Sequence, residues 1–319
     1  MNSLEDRVAA AYIEACLAEL DAPKPGNVHR FAPGHRMEVA DFVRSAEASA
    51  APIAATGARI GTRVRTAVDA TLKAVGQNTN LGIILLCAPL AAAAEAENAP
   101  LRPALAGVLD RLDRVDAADV FSAIAAANPG GLGRASRHDV NAPAAATLRE
   151  AMAEAAGRDR IAQQYVTTYD DVFSLGLPVL ATARPRYSDA RWSTLAVYLA
   201  FLAATPDTHI ARKFDLGAAE AVRREAVHWR DAFAAARDPE AIADSLRGWD
   251  GALKSRGINP GTSADLTVAT LFASGLGTIR GEKYPAAILP LRANDDCVGP
   301  LGRAPLVTIR PTDSAAAGC

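Results

Sequence analysis

Aromatic residues make up only 5% of this 319-residue chain, and segments that alternate polar and apolar residues like a strand are nearly absent. Leu306-Val-Thr-Ile309 is the best strand candidate, so a sheet protein is excluded and an all-α fold expected. The four cysteines, Cys16, Cys87, Cys297 and Cys319, lack the paired spacing of a disulfide framework or a zinc site, which predicts reduced thiols in a cytoplasmic protein. A basic excess is missing too. The net charge of -2 and pI near 6.2 argue against a nucleic-acid partner. Glu5 and Asp6 stand where a secretory leader would be positive. The longest apolar run, Leu81 to Ala94, is too short to span a bilayer and contains Pro89, so no membrane partner is expected. No Gly-x-x-x-x-Gly-Lys-Ser/Thr loop, Gly-x-Gly-x-x-Gly turn or Gly-x-Ser-x-Gly elbow occurs.

What is present is helix. Half of the residues are hydrophobic and alanine, the best helix former, is abundant. Leu4, Val8, Tyr12, Cys16 and Leu20 recur every fourth residue and predict a first helix that ends at the prolines of Asp21-Ala-Pro-Lys-Pro-Gly26. A second is predicted from about Val39 to Gly57, and a third carries Val64, Val68, Leu72 and Val75 on one face. The apolar run after Asn78-Thr79-Asn80 reads as a central helix, and another begins at Asp116. Further helical patterns cover roughly 141–156, 158–173, 189–204, 215–236, 239–254 and 264–276. The expected architecture is a single-domain multi-helix bundle over 1–276 with a short irregular C-terminal extension, 277–319.

Polar loops interrupt these helices. In Pro23-Lys24-Pro25-Gly26-Asn27-Val28-His29 two prolines stiffen the chain and Gly26 allows a conformation other residues resist; this is either a rigid turn or a phosphate-binding loop carrying Lys24 and Asn27. His29 and His35 are ligand or acid–base candidates, or simply solvated. Asn78-Thr79-Asn80 caps a helix whose free N–H groups suit phosphate or ribose oxygens. Tyr169-Asp170-Asp171 offers two acids that point about 100° apart on a helix, for magnesium or base chemistry, or two exposed charges. Asp207-Thr208-His209-Ile210-Ala211-Arg212-Lys213 suits either a helix cap or a metal–phosphate site, and Asn259-Pro-Gly-Thr-Ser-Ala-Asp265 opens the 264–276 helix.

Taken in order, Pro23-Lys24-Pro25-Gly26, Gly76-Gln-Asn-Thr-Asn-Leu-Gly82, Asp207-Thr208 with its following cations, and Pro260-Gly-Thr-Ser-Ala-Asp-Leu266 resemble the triphosphoribosyl-dephospho-CoA synthase family across residues 15 to 275. The resemblance implies an all-α fold and displacement of adenine from ATP, with transfer of the triphosphoribosyl group to dephospho-CoA. The chain departs from better-known members where Asn80 and Leu81 replace a histidine and a lysine, His209 an asparagine and Thr262 a glycine. The Asn-Thr-Asn-Leu-Gly form resembles a methanogen and methylotroph branch. The alternatives are therefore an enzyme of tetrahydromethanopterin- or methanofuran-type cofactor synthesis and a non-catalytic nucleotide-binding assembly protein.

Under the resemblance, Lys24, Arg212 and Lys213 neutralise phosphate, Gly26, Asn27, Asn78, Thr79 and Asn80 hold the nucleotide, and Asp207 and Asp171 bind magnesium. Asp170 becomes the general base, His209 the acid toward the departing base, and Asp207 shares the catalytic set. The partners expected are small-molecule nucleotide and cofactor-precursor substrates, with a homodimer as the assembly. The expectation requires the segments at Lys24, Asn78, Asp170 and Asp207 to share one cleft.

Overall fold

A computed structural model describes residues 3–32, 34, 37–130 and 137–285. His35, Cys297, Cys319 and the candidate strand at Leu306 lie outside them. The described residues form fourteen α-helices and no strand. In chain order these are α1 (Leu4–Asp21), α2 (Val39–Ala54), α3 (Ile60–Val75), α4 (Leu81–Ala93), α5 (Leu101–Asp110), α6 (Arg114–Ala127), α7 (Leu148–Ala155) and α8 (Arg160–Thr167). There follow α9 (Leu177–Ala183), α10 (Ala190–Ala204), α11 (Thr208–Lys213), α12 (Leu216–Ala235), α13 (Ala243–Ser255) and α14 (Gly261–Arg280). The expected all-α domain is what the chain forms. No helix among the described residues is long and apolar enough to cross a membrane.

Caps set most helix starts. Ser3 and Asp6 form a reciprocal capping box on α1, Asp113 and Asp116 another on α6, and Thr147 and Glu150 a third on α7. The start expected at Asp116 therefore lies two residues earlier, at Arg114, because Asp116 is the third helical position of a box that Asp113 opens. The expected helix over 158–173 also breaks. Thr168 and Tyr169 take left-handed backbone angles, and a wider π-helical turn over Asp171–Gly176 leads into α9.

Apolar side chains gather in two clusters. The larger is built on α1 to α8 around α4, whose Ile84, Leu86 and Leu90 are wholly enclosed. Each such side chain contributes about 1.5–3 kcal/mol through removal from water. The smaller joins α10, α12 and α13 around Leu195, Leu199, Val222 and Leu253. Helix α10 serves both, with Val197 and Phe201 in the larger cluster and Tyr198 and Leu202 in the smaller. Helix α14 does likewise, through Ala264 in one and Val268 and Phe272 in the other. Both clusters contribute helices to the rim of one wide cleft.

Candidate functional site

The cleft has a volume of about 950 Å3 and is bordered by α1, α4, α7, α8, α11 and the start of α14. Asn27, Asn78, Thr79, His209 and Arg212 line it, as the sequence led us to expect. Three of the four expected segments thus converge. The Asp170 segment does not.

The loop after α1 is braced from α13. Gly26 sits at φ +82°, and its N–H donates to Asp250 Oδ1 at 2.8 Å. A side chain there would press on Pro260 at 2.9 Å as well as straining the backbone. Asp250 also meets His29 Nε2 at 3.3 Å and Lys254 Nζ at 2.9 Å. Burial pushes the Asp250 carboxyl up, but these bonds more than offset it and hold the group below its ordinary value. His29 is thereby a buried partner of Asp250 rather than a cleft ligand.

Lys24 corrects an expectation. Its ammonium is fully buried and donates to Glu19 Oε1 at 2.5 Å, Asn27 Oδ1 at 2.9 Å and the Val28 carbonyl at 2.7 Å. An ammonium has three N–H donors, so none is left for phosphate. Burial pushes the ammonium down and the Glu19 carboxyl up, and each charge opposes the shift in the other. Lys24 instead orients two groups that do face the cleft, Glu19 and Asn27, and Asn27 Nδ2 bonds Asn259 Oδ1 at 2.8 Å.

At the start of α4, Asn78 is the capping side chain: its Oδ1 accepts from the Leu81 N–H at 3.2 Å. Thr79 pairs with Ser45 of α2 at 2.6 Å. Asn80 turns away from the cleft, donating to Ser49 at 3.3 Å in a separate small recess, so it is not among the groups positioned for a nucleotide.

Asp207 is 3% exposed and uses both oxygens. Oδ1 accepts from the His209 N–H at 2.9 Å and the Ile210 N–H at 3.2 Å, while Oδ2 accepts from the N–H and the hydroxyl of Ser263, each at 2.8 Å. One carboxyl therefore caps α11 and ties it to α14. Burial still leaves it above its ordinary value despite these four bonds. The residue expected to ligate magnesium is a filled helix staple behind the cleft wall. His209 does line the cleft, its N–H also held by Thr262 Oγ1 at 3.1 Å.

Asp170 and Asp171 are engaged elsewhere. The side chain of Asp170 is 57% exposed, pairs with Arg102 at 2.9 Å and accepts from Ser174 at 2.6 Å, which hold it below the ordinary carboxylate range. It is not a base in the cleft. Asp171 grips Arg160 through two bonds, at 2.5 and 2.6 Å, and accepts from Gln164 at 2.6 Å. Its oxygens are occupied, and the expected magnesium ligands do not fit that ion. Among the described residues no three His, Cys, Asp or Glu side chains group as a metal cage. Lys213 is exposed, reaches the Gly257 carbonyl at 3.4 Å and lies outside the cleft lining.

Several charged groups to which the sequence reading gave no role also line the cleft. Arg137 and Arg158 join Arg212, whose guanidinium touches the Gly130 carbonyl at 3.2 Å and Asp159 at 3.4 Å. Glu19, Asp139, Glu154, Asp159 and Asp265 are acids of the same lining, and Glu154 pairs with Arg137 at 3.7 Å. Asp265 has no hydrogen bond from any described side chain or N–H. Its Oδ2 rests against Gly82, where a methyl group would overlap it. Burial, then Glu19 and Asp207, push its carboxyl well above the ordinary value against the pull of Arg212. A sequence signal existed for Glu19: it is a carboxylate on the buried face of α1, beside Tyr12, Ala15 and Cys16.

Three arginines and several acids line one wide cleft, a lining that suits a small anionic substrate. The family comparison agrees: the model for ATP:dephospho-CoA triphosphoribosyl transferase, CitG, matches residues 5–283. The chain belongs to that family of transferases, for which ATP is a substrate. The crystal structure of an Archaeoglobus fulgidus protein, described as a candidate triphosphoribosyl-dephospho-CoA synthase, is similar over 75% of this chain and 99% of its own. At 23% identity and a TM-score of 0.59, that likeness is one of fold. No curated protein matches the chain. The tetrahydromethanopterin-type and non-catalytic alternatives gain no support from these comparisons.

Proposed function

We propose that this chain moves the triphosphoribosyl group of ATP onto a hydroxyl of dephospho-CoA within the cleft, releasing adenine. The observation that carries the reading is that three guanidinium groups, Arg137, Arg158 and Arg212, line the same cleft as the carboxyls Glu19 and Asp265. A triphosphate needs several cations, and guanidinium suits phosphate because its N–H fork spans two oxygens. Substitution at the anomeric carbon develops positive charge on the sugar, which nearby carboxyls stabilise. Asn78, with Oδ1 fixed by its cap, presents its amide nitrogen to ribose oxygens. Asn27 and His209 add to the polar lining.

Magnesium is expected to enter on the triphosphate oxygens, its usual mode with nucleotides, rather than in a cage of protein carboxylates. The test is direct: incubate the protein with ATP and dephospho-CoA and separate the bases by chromatography. Free adenine in equal amount to a triphosphoribosylated acceptor is the expected result. ADP or AMP in its place means phosphoryl or pyrophosphoryl chemistry and ends this reading.

A further inference from the structure

We propose that Asp265 and Glu19 are the acid and base of the transfer, Asp265 giving its proton to the departing adenine and Glu19 taking the proton of the acceptor hydroxyl. The proposal rests on the triphosphoribosyl-transfer reading above. Both carboxyls line the cleft, yet their surroundings differ as an acid and a base require. Glu19 touches a buried ammonium at 2.5 Å, which favours its charged form. Among the described residues no donor bonds Asp265 to stabilise a charge there. It stands among the acids Glu19, Asp207 and Asp159, with Arg212 the cation opposing them and the thiols of Cys16 and Cys87 behind. His209 and Lys24 are further ionisable groups nearby, and the elements packed against α14 also carry Tyr12, Tyr198, Arg160 and Tyr165.

Gly82 links two sequence motifs that lie far apart. The glycine that ends Asn78-Thr79-Asn80-Leu81-Gly82 makes the room that the Asp265 carboxyl occupies. A side chain there would displace the Asp265 carboxyl, which no hydrogen bond from the described residues holds in place.

The step balances. The bond from the anomeric carbon to the adenine nitrogen breaks, and its electron pair leaves with the base. The Asp265 proton passes to a ring nitrogen, so adenine departs neutral. A lone pair of the acceptor oxygen forms the new bond to the anomeric carbon, and the hydroxyl proton passes to Glu19. Return of that proton to Asp265 through solvent restores the enzyme with no net gain or loss.

The experiment uses the full chain with ATP and dephospho-CoA, reading adenine release and, separately, ATP binding by calorimetry. Asp265→Asn is expected to lower kcat by about 100-fold or more while ATP affinity is kept, since general acid catalysis contributes roughly 10²–10⁴. The fall of kcat toward high pH, which follows loss of the Asp265 proton, disappears in that variant. Glu19→Gln removes the fall toward low pH. Gly82→Ala tests the same arrangement without altering Asp265, and kcat is expected to drop with ATP binding kept, because the carboxyl is the mobile partner in the overlap. Adenine release by Asp265→Asn within about tenfold of the wild-type rate overturns the proposal alone. No adenine from the wild-type protein overturns it together with the functional reading.

Discussion

Two regions of this protein carry paired acids, and they treat them in opposite ways. On the shoulder around the π-helical turn, Asp170 and Asp171 each face an arginine, Arg102 and Arg160, and their charge is answered side chain to side chain. Between α11 and α14, Asp207 is answered by three N–H groups and a hydroxyl, and Asp265 by no hydrogen bond from the described residues. Asp170 is held below its ordinary value by Ser174 and Arg102, and Asp171 is clamped by Arg160 and Gln164. The inner acids are held above their ordinary range by burial, which is where proton chemistry becomes accessible at neutral pH. An acid-rich motif alone does not distinguish the two; the desolvation of its side chain does.

The largest expected break in that comparison comes from Asp207→Ala. It strands four donors and cuts the tie between two helices, so we expect a loss of about 2–4 kcal/mol, read as a shift in the urea midpoint at unchanged slope. Removing Arg212 attacks the cleft instead. Arg212→Ala is expected to weaken ATP binding by about 1.5–3 kcal/mol, a rise in KM of roughly 10–100-fold, with little change in the midpoint.

Asp265→Asn sharpens the comparison through pH. Because the folded-state value of Asp265 is raised, its ionisation opposes folding as pH climbs above the unfolded carboxylate range. The variant is therefore expected to melt above the wild type at neutral pH, the gap closing as pH falls toward 4; a gap independent of pH contradicts this. The smallest effect belongs to Asp170→Asn. An exposed pair is worth under about 1 kcal/mol, and both thermal midpoint and adenine release are expected to stay near wild type. A large loss of turnover there would return Asp170 to the active site.

The fold was largely legible because its signals are local. The four-residue stripe of α1, the caps and the prolines after Asp21 each act within a turn or two. Helix α11, with six residues, is too short to show a periodicity, and α9 is hidden behind a π-helical turn that shifts the register. The site was legible in outline, since Asn27, Asn78, Thr79, His209 and Arg212 share the cleft. Roles were not. Asp171 gives no sequence hint of the clamp that Arg160 and Gln164 close on it, and Lys24 none that Glu19 lies against it. Which partner answers a charge is decided by tertiary packing, often between residues far apart in the chain.

The enclosure of Lys24 has a practical corollary. Amine-reactive labels modify solvent-facing lysines such as Lys213 at once, but they reach Lys24 only when the segment following α1 detaches from α13. Its labelling rate, followed by peptide mass mapping, is a clock for that detachment, and a saturating nucleotide that fastens the segment would slow it.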